Sequence, residues 1–390
     1  MKLQTKKKIA GFTLIELLIA MAVTIILLYG AVLVFQNATY SNQIVVQSAD
    51  MSDNMRAGLN LIQQDLQQAG AGIPVGGISI PFTASGTTGC GTTPAIKRPV
   101  PVGAPLTTFP PCNPTMPAVE PGNSFGPALT APDATAGTAS NPDPSGVTDE
   151  ITMLYEDNTT PLNNLPVYST VGAQICTKGS VVLTGTTLVV TFDPACINLS
   201  QAGIAVQVGD LILLSNPNGN TLVCVTAIST AANSLTFASG DPFGLNARNL
   251  SDNSGTILQL ESSATCGGGN ACFPSTLATR IWMISYYLDN TSSPPWVRLV
   301  RAVNFESASP VGETLENLQF SYNFVDGITN PSNQNTVPAG NSESQIRSVN
   351  VYLAARSSYN LQQGTHAAYA RNNLMTQVSL RSMAYVDRYF

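Results

Sequence analysis

The chain has 390 residues, enough for two ordinary domains or for one domain with large insertions. Only 10% of the residues are charged, against about a quarter in typical soluble domains, and this deficit favours a loop-rich, β-rich extracytoplasmic protein over a cytosolic enzyme. The formal net charge of −6 argues against broad nucleic-acid binding, because an acidic surface repels phosphate backbones.

The first segment is basic, with Lys2, Lys6, Lys7 and Lys8 and no acid before Glu16. An almost wholly apolar run follows at 12–35. At about 1.5 Å per residue in a helix, this run is long enough to span a bilayer. The preceding lysines place the C-terminal mass outside the cytoplasm by the positive-inside rule. A secretory signal peptide would have a shorter apolar core and a small-residue cleavage site, and the sequence has neither.

Residues 11–19, GFTLIELLI, resemble the processing site of type IV prepilins and type II secretion pseudopilins. The resemblance implies that a membrane peptidase cleaves after Gly11 and that Phe12 becomes the N-methylated first residue. Glu16 matches the family's glutamate at the fifth mature position. Loss of the leader would leave 13 basic against 23 acidic residues, a net charge near −10.

Glu16 is also unexpected for a plain membrane anchor. A carboxylate inside the apolar span costs about 2.5–3.5 kcal/mol on insertion scales. Pairing with the N-terminal ammonium group of a neighbouring subunit would offset that cost, and a misplaced subunit would leave both charges unpaired in lipid. The residue is therefore expected to set register during assembly.

After the apolar run, the helix pattern becomes amphipathic. Apolar and small residues recur at three- and four-residue steps from Ile44 to Ala69, and a Gly-Ala-Gly-Ile-Pro sequence at 70–74 predicts the end of the helix. The apolar stripe is interpreted as the face that packs on a globular domain. Residues 71–148 are rich in Pro, Gly, Thr, Ala and Ser and are interpreted as a loop or insertion.

Strand signals dominate from residue 149 onward. The predicted strands are 150–155, 180–183, 187–192, 210–215, 222–228, 234–237, 279–288, 297–301, 315–325, 348–355 and 377–384. The expected fold class is therefore α+β, with one long N-terminal helix packed on an antiparallel sheet, as in pilins. The expected divisions are a leader at 1–11, a transmembrane or filament-core helix at 12–35, its amphipathic second half at 36–70, the insertion at 71–148 and a β-rich head at 149–390.

The chain has seven cysteines and no CxxC pair. In an exported protein, cysteines at such positions indicate disulfides, and the odd count leaves one thiol over. The candidate pairs are Cys266 with Cys272, Cys176 with Cys196, and Cys90 with Cys112. Cys224 lies in a strand-like run and is the candidate free thiol, while reduced, buried cysteines remain the alternative.

Several segments of the head are similar, in the same order, to the strands of PilW-like minor pilins. They are VGDLILLS at 208–215, VCVTAI at 223–228, WVRLVR at 296–301, ENLQFSY at 316–322, IRSVNVYL at 346–353 followed by Arg356 and Ser357, and VSLRS at 378–382. Ser382 stands where that family often has asparagine, so no role is carried over to this position.

No enzyme motif is present. The single histidine, His366, lies in a polar stretch, and the glycines at 267–269 are followed by neither a helix nor a lysine, so they are interpreted as a turn. Asp149 and Glu150 are adjacent and would face opposite sides of a strand. Asp326 with nearby asparagines lacks the spacing of a calcium loop. We therefore expect no catalysis, cofactor or metal.

The preferred hypothesis is a minor pilin that helps to prime assembly of a type IV pilus, with a position at the tip for adhesion or motility. The implied partners are other major and minor pilins, the prepilin peptidase and the inner-membrane assembly platform. The implied location is the inner membrane, single-pass, with the C-terminal domain in the periplasm, and then the pilus at the cell surface. A minor pseudopilin of a type II secretion system and a membrane-anchored adhesin or binding module are the alternatives.

Overall fold

The structure is a computed structural model. It describes residues 13–74, 76–81, 98–99, 115–129, 146–160, 162, 166–167, 176–201, 203–246, 255–265, 271–291, 297–358, 361–363 and 366–386, with backbone only at 262–265, 271–272, 361–363, 366–368 and 384–386. Gly11, Phe12, Cys90, Cys112 and Cys266 lie outside the described residues.

One helix, α1, runs from Leu14 to Gln68. Its first part is apolar all round and its second part carries a stripe of buried residues, as the changing sequence pattern predicts. The helix ends where glycine and proline follow. Gly70 has a positive φ of 86°, which suits a residue without a side chain, and its amide donates to the carbonyl oxygen of Leu154.

The strands are short except for four. Their bounds are β1 Ile78–Ser79, β2 Thr115–Met116, β3 Val119–Gly122, β4 Glu150–Glu156, β5 Ser180–Thr184, β6 Thr187–Thr191, β7 Leu211–Asn216, β8 Gly219–Cys224, β9 Ala227–Ser229, β10 Ser234–Phe237, β11 Ser262–Thr265, β12 Ala271–Cys272, β13 Leu277–Asp289, β14 Arg298–Val303, β15 Ser309–Glu313, β16 Leu315–Phe324, β17 Ile346–Arg356, β18 Leu361–Gln363, β19 His366–Ala368 and β20 Arg371–Ser379. Short 3₁₀ helices occur at Ile257–Leu260 and Glu343–Gln345, and a second α-helix, α2, at Arg381–Val386.

All pairings among these strands are antiparallel, and the described part of the head contains three larger sheets and three two-stranded sheets, β1-β2, β11-β12 and β18-β19. The large sheet has the order β15-β14-β13-β4-β3, and β7 and β8 extend it because the first residues of β13 pair with β7. A three-stranded sheet has the order β16-β17-β20, and a four-stranded sheet has the order β5-β6-β10-β9. The predicted α+β, pilin-like fold is confirmed.

The main core lies where the second half of α1 meets the large and three-stranded sheets. Met55, Ile62 and Leu66 of the helix are fully buried there. Gly58 allows the close approach, since a Cβ atom at this position would lie 2.6 Å from the Leu299 side chain. Burying each of these large apolar side chains stabilises the fold by about 1.5–3 kcal/mol, so the helix and head form one folded unit.

A second core lies under the four-stranded sheet and includes Phe192, Val223 and Phe237. The disulfide expected between Cys176 and Cys196 is present beside it, with a Cα–Cα distance of 6.0 Å. Cys224, the expected free thiol, is unpaired and buried. We call this second core with its sheet and disulfide the disulfide lobe.

Several segments differ from the sequence analysis: the predicted strand 222–228 is divided into β8 and β9, and β15 was not predicted. Within 71–148, β3 is not a loop but the edge strand of the large sheet, because Val119 to Gly122 pair with β4. The last predicted strand, 377–384, ends at Ser379, and α2 follows. Burial explains why the chain forms α2 here, since the side chains of Leu380 and Met383 both lie in the main core.

Candidate functional site

The candidate functional site is α1 together with its contacts to the head, and its first part is the N-terminal end of α1. Thr13 caps the helix: its hydroxyl accepts from the amide of Glu16 at 3.4 Å, while the Glu16 carboxylate accepts from the Thr13 amide at 3.0 Å and hydroxyl at 2.9 Å. This reciprocal capping box satisfies amides that the helix cannot satisfy itself. Glu16 is exposed, so its charge stands at the helix N-terminus, where it is accessible to a second group.

The next part of α1 is exposed in the described structure. Its large apolar side chains, from Leu14 to Phe35, are between 42% and 83% exposed. Among the described residues, α1 is the one helix long and apolar enough to cross a membrane, and no residue of that apolar window is buried. A core helix of a soluble protein would be mostly buried, so this surface requires lipid or other apolar helices as its surroundings.

The other end of α1 is held to the head by one buried carboxylate. Asp65 Oδ1 accepts hydrogen bonds from the Tyr155 hydroxyl at 2.8 Å and Arg301 Nη2 at 3.2 Å, and Oδ2 accepts from the Tyr286 hydroxyl at 2.6 Å and Arg301 Nε at 2.7 Å. We call these four residues the helix anchor. The three donors come from β4, β13 and β14, which are neighbouring strands of the large sheet, so the anchor ties the helix to three strands at once.

The charge state of the helix anchor is well defined. Burial, followed by the Asp65 carboxylate, raises the pKa of both tyrosines, so they remain neutral donors. Burial opposes the charge of Arg301, but its hydrogen bonds and attraction to Asp65 outweigh burial and raise its pKa. The two tyrosines therefore remain neutral donors and Arg301 remains charged at any physiological pH.

The sequence analysis does not single out Asp65, because it considers only the apolar and small residues of the second half of α1. Its position carried a signal, since it follows Ile62 by three residues and precedes Ala69 by four, and so lies on the buried stripe. The partner residues could not be named from one sequence, because they are at least 90 positions away.

A second buried ion pair joins the disulfide lobe to the body. Arg280 on β13 lies 3.0 Å from Asp210 and 3.7 Å from Asp157, and its guanidinium lies 4.3 Å from the centre of the Trp282 ring. Asp157 follows β4 and Asp210 precedes β7. The two carboxylates therefore connect the strands on either side of β13. Arg280 Nη1 also donates to the Ala205 carbonyl at 3.3 Å, beside Ile204 of the disulfide lobe.

A third buried cluster forms where residue 98, from the Pro/Gly-rich segment, meets the large sheet. Arg98 is fully buried, lies 3.3 Å from Glu150 and lies 4.7 Å from the centre of the Phe125 ring. Burial raises the pKa of Glu150 to about 7. Burial, then the Glu343 carboxylate, raises the pKa of Glu120 to about 8, although Arg98 acts in the opposite direction.

These two carboxyl groups predict an acid-stabilised head. Their folded pKa values exceed the unfolded value of 4.5, so the folded chain binds more protons, and stability falls as pH rises from about 4.5 to 8. The slope is at most about 1.4 kcal/mol per pH unit for each group. Unfolding by urea at pH 5.5 and pH 8 should show the difference. The Glu120→Gln and Glu150→Gln variants, which mimic the protonated form, should flatten the profile; an unchanged profile in both would contradict this assignment.

Among the residues that the structure describes, Asp149 and Asp326, which were considered from the sequence, accept backbone hydrogen bonds. Asp149 accepts from the amides of Ser124 and Phe320, both at 2.8 Å, and so has a structural role. Asp326 accepts from three successive amides of its own loop. His366 lies in β19, with only its backbone described. In the part of the chain that the structure describes, no group of three or more His, Cys, Asp or Glu residues could hold a metal ion.

Comparison with known protein families supports the interpretation of the N-terminal segment that leads into α1. Residues 6–32 match the family model described as the prokaryotic N-terminal methylation motif. No curated protein matches the chain, and no solved structure matches it. The match supports a membrane-anchored protein of the type IV pilin-like or pseudopilin kind, which assembles with other pilins and is recognised by the prepilin peptidase.

Proposed function

We propose that the protein is a minor pilin of the PilW-like kind, which helps to prime assembly of a type IV pilus and sits at the tip. One observation carries the proposal. An exposed apolar helix begins at a prepilin-type motif, and the buried helix anchor joins this helix to a large head. A bulky head favours a terminal position, because it tolerates few neighbours in a helical filament.

Several residue roles belong to this proposal. Cleavage follows Gly11, Phe12 becomes the N-methylated terminus, and the Glu16 carboxylate pairs with the terminal ammonium group of a neighbouring subunit. The chain sits in the inner membrane with its head in the periplasm before it enters the pilus, where it meets the assembly platform and other pilins. The pairs Cys90–Cys112 and Cys266–Cys272 complete the disulfides. Mass analysis of the mature N-terminus tests the processing step directly, because a chain that begins at Met1 would exclude it.

The proposal predicts that the charge of Glu16 is required for piliation. Replacing Glu16 with glutamine keeps a capping box with Thr13 but removes the charge, so surface pili should fall about tenfold or more, which corresponds to roughly 1.4 kcal/mol of pairing free energy. Electron microscopy of whole cells gives the count. Glu16→Ala should behave in the same way.

The two variants separate assembly from helix capping. A loss with alanine but not with glutamine would assign Glu16 to capping alone, and unchanged piliation in both would exclude the priming role. Normal piliation combined with loss of type II secretion would favour the minor pseudopilin instead.

A further inference from the structure

Among the strands that the structure describes, none pairs with the outer edge of β20 in the three-stranded sheet. In the order β16-β17-β20, β20 pairs with β17 on one side only, and the pairing from Arg371 to Ser379 is continuous, without a bulge. Strands β16 and β17, in contrast, have two register shifts. The free edge of β20 is therefore long and regular.

The direction of each backbone group on β20 follows from its register. The Leu380 amide donates to the Arg347 carbonyl, and the Ser357 amide donates to the Ala370 carbonyl. Bonded and non-bonded pairs alternate in an antiparallel ladder, so the even-numbered residues of β20 bond to β17. The amides and carbonyls of residues 373, 375, 377 and 379 consequently point away from the sheet.

Little in the described structure occupies that edge. The Asn373 amide donates to the side chain of Asn372 at 2.9 Å. No turn or loop backbone bond among the described residues ends on residues 375, 377 or 379. Gln377 is exposed, and Met375 is 67% exposed. The edge thus presents three amide donors and four carbonyl acceptors in a row.

Proteins protect edge strands with charged residues, prolines, bulges, short strands or a covering helix or loop. Of these devices, residues 372–379 of β20 have only the packing of α1 against their Leu374 and Val378 face. The other long sheet has such devices at both ends, with Pro310, Glu313 and a register shift at β15, and Glu120 and Pro121 at β3. Residues 372–379 carry neither a charge nor a proline. An uncharged, extended segment is the ligand that fits such an edge.

The position of β20 indicates which protein supplies that segment. β20 packs beside α1, with Leu374 and Val378 turned towards the core that α1 shares. The family match implies assembly with other pilins, and the exposed apolar part of α1 requires lipid or other apolar helices around it, so a pilin-like subunit is the partner expected beside this chain.

We propose that β20 is a docking edge that accepts an extended, uncharged segment of a different pilin-like subunit as an added strand. The inference rests on the proposed function and deepens it, since it assigns the contact by which the head selects its neighbour in the assembly. The incoming strand pairs with residues 373–379, and its outward side chains lie beside the cross-strand neighbours Met375 and Tyr352.

The test uses the full chain in pilus-assembling cells, with a benzoylphenylalanine photo-cross-linker at Met375. We expect an adduct with a subunit that carries a prepilin-type N-terminus, identified by mass spectrometry. Gln377→Pro removes one outward amide while leaving the ladder to β17 intact, because proline is tolerated where an edge N–H faces away from the sheet. Adduct yield should fall about fivefold to tenfold, as expected for the loss of one or two backbone hydrogen bonds.

Two further variants make the result decisive. Gln377→Lys adds an edge charge without the backbone change of proline and should also lower the yield, so the test stands even if the proline variant unfolds. Gln377→Thr retains the backbone amide and adds no charge, so the adduct yield should be unchanged. Thermal unfolding of the detergent-solubilised chain checks that each variant is folded.

The inference is overturned if no adduct forms, if the adduct contains two copies of this chain, lipid or a non-pilin protein, or if proline and lysine leave the yield unchanged. Piliation of the Glu16→Gln strain distinguishes the two proposals. If piliation depends on Glu16 but the adduct is insensitive to Gln377, the docking edge alone is wrong; if piliation is unaffected, the minor-pilin function itself fails.

Discussion

Replacing Asp65 with alanine is expected to lower the free energy of unfolding by on the order of 3 kcal/mol. The change leaves Arg301 and two tyrosine hydroxyls without their shared acceptor. Because the Arg301 side chain is 28% exposed, water can solvate part of its charge, and the loss should lie near the lower end of the range for broken buried pairs. Urea unfolding of the detergent-solubilised chain measures the effect.

Matched variants separate the contributions to the helix anchor. Asp65→Asn keeps one acceptor oxygen and should cost less than alanine, while Tyr155→Phe and Tyr286→Phe should each cost about 1 kcal/mol. Arg301→Ala combined with Asp65→Ala should cost less than the sum of the two single changes, because the pair is coupled. Additive losses would show that Asp65 acts without Arg301.

Removing the Cys176–Cys196 disulfide is expected to destabilise the disulfide lobe by about 3 kcal/mol. The bridge closes a loop with a sequence separation of 20, and opening it returns that chain entropy to the unfolded state. The double alanine variant is the cleanest test, since Cys176 is fully buried and a serine there would add a desolvation cost. Hydrogen exchange should show faster opening of β5 and β6.

The control for this prediction is hydrogen exchange in a part of the structure that does not contain the disulfide. Amides of α1 from Met51 to Leu66, which belong to the main core, should retain their protection in the double alanine variant. The double serine variant should be no more stable than the alanine variant. Equal protection of β5 and β6 with and without the bridge would show that the lobe does not depend on it.

The local elements follow from the sequence because their signals are local. The apolar run, the three- and four-residue spacing after it and the Gly70 to Pro74 stop predict α1 almost to the residue. Alternating apolar residues place most strands, including β4, β13 and β17, within a few positions. The prepilin-type residues before and after Phe12 are contiguous, so the family match needs no tertiary information.

Segments without a local pattern were assigned less well. The edge strand β3 contains proline and glycine, and the sequence therefore suggested a loop; it is a strand because β4 supplies its hydrogen bonds. Similarly, α2 replaces the end of a predicted strand because Leu380, which precedes it, and Met383, which lies within it, are buried in the main core. In both cases long-range packing overrides local propensity.

The sequence by itself determined the long helix, the α+β class and the prepilin-type terminus, since each depends on residues close together in the chain. Only the tertiary structure decided that Asp65 meets Arg301, that Arg98 meets Glu150, and that β20 has an open edge. A buried charge is stable only with a partner, and an edge is open only when no other strand covers it. Both conditions depend on segments far apart in sequence, which the fold alone brings together.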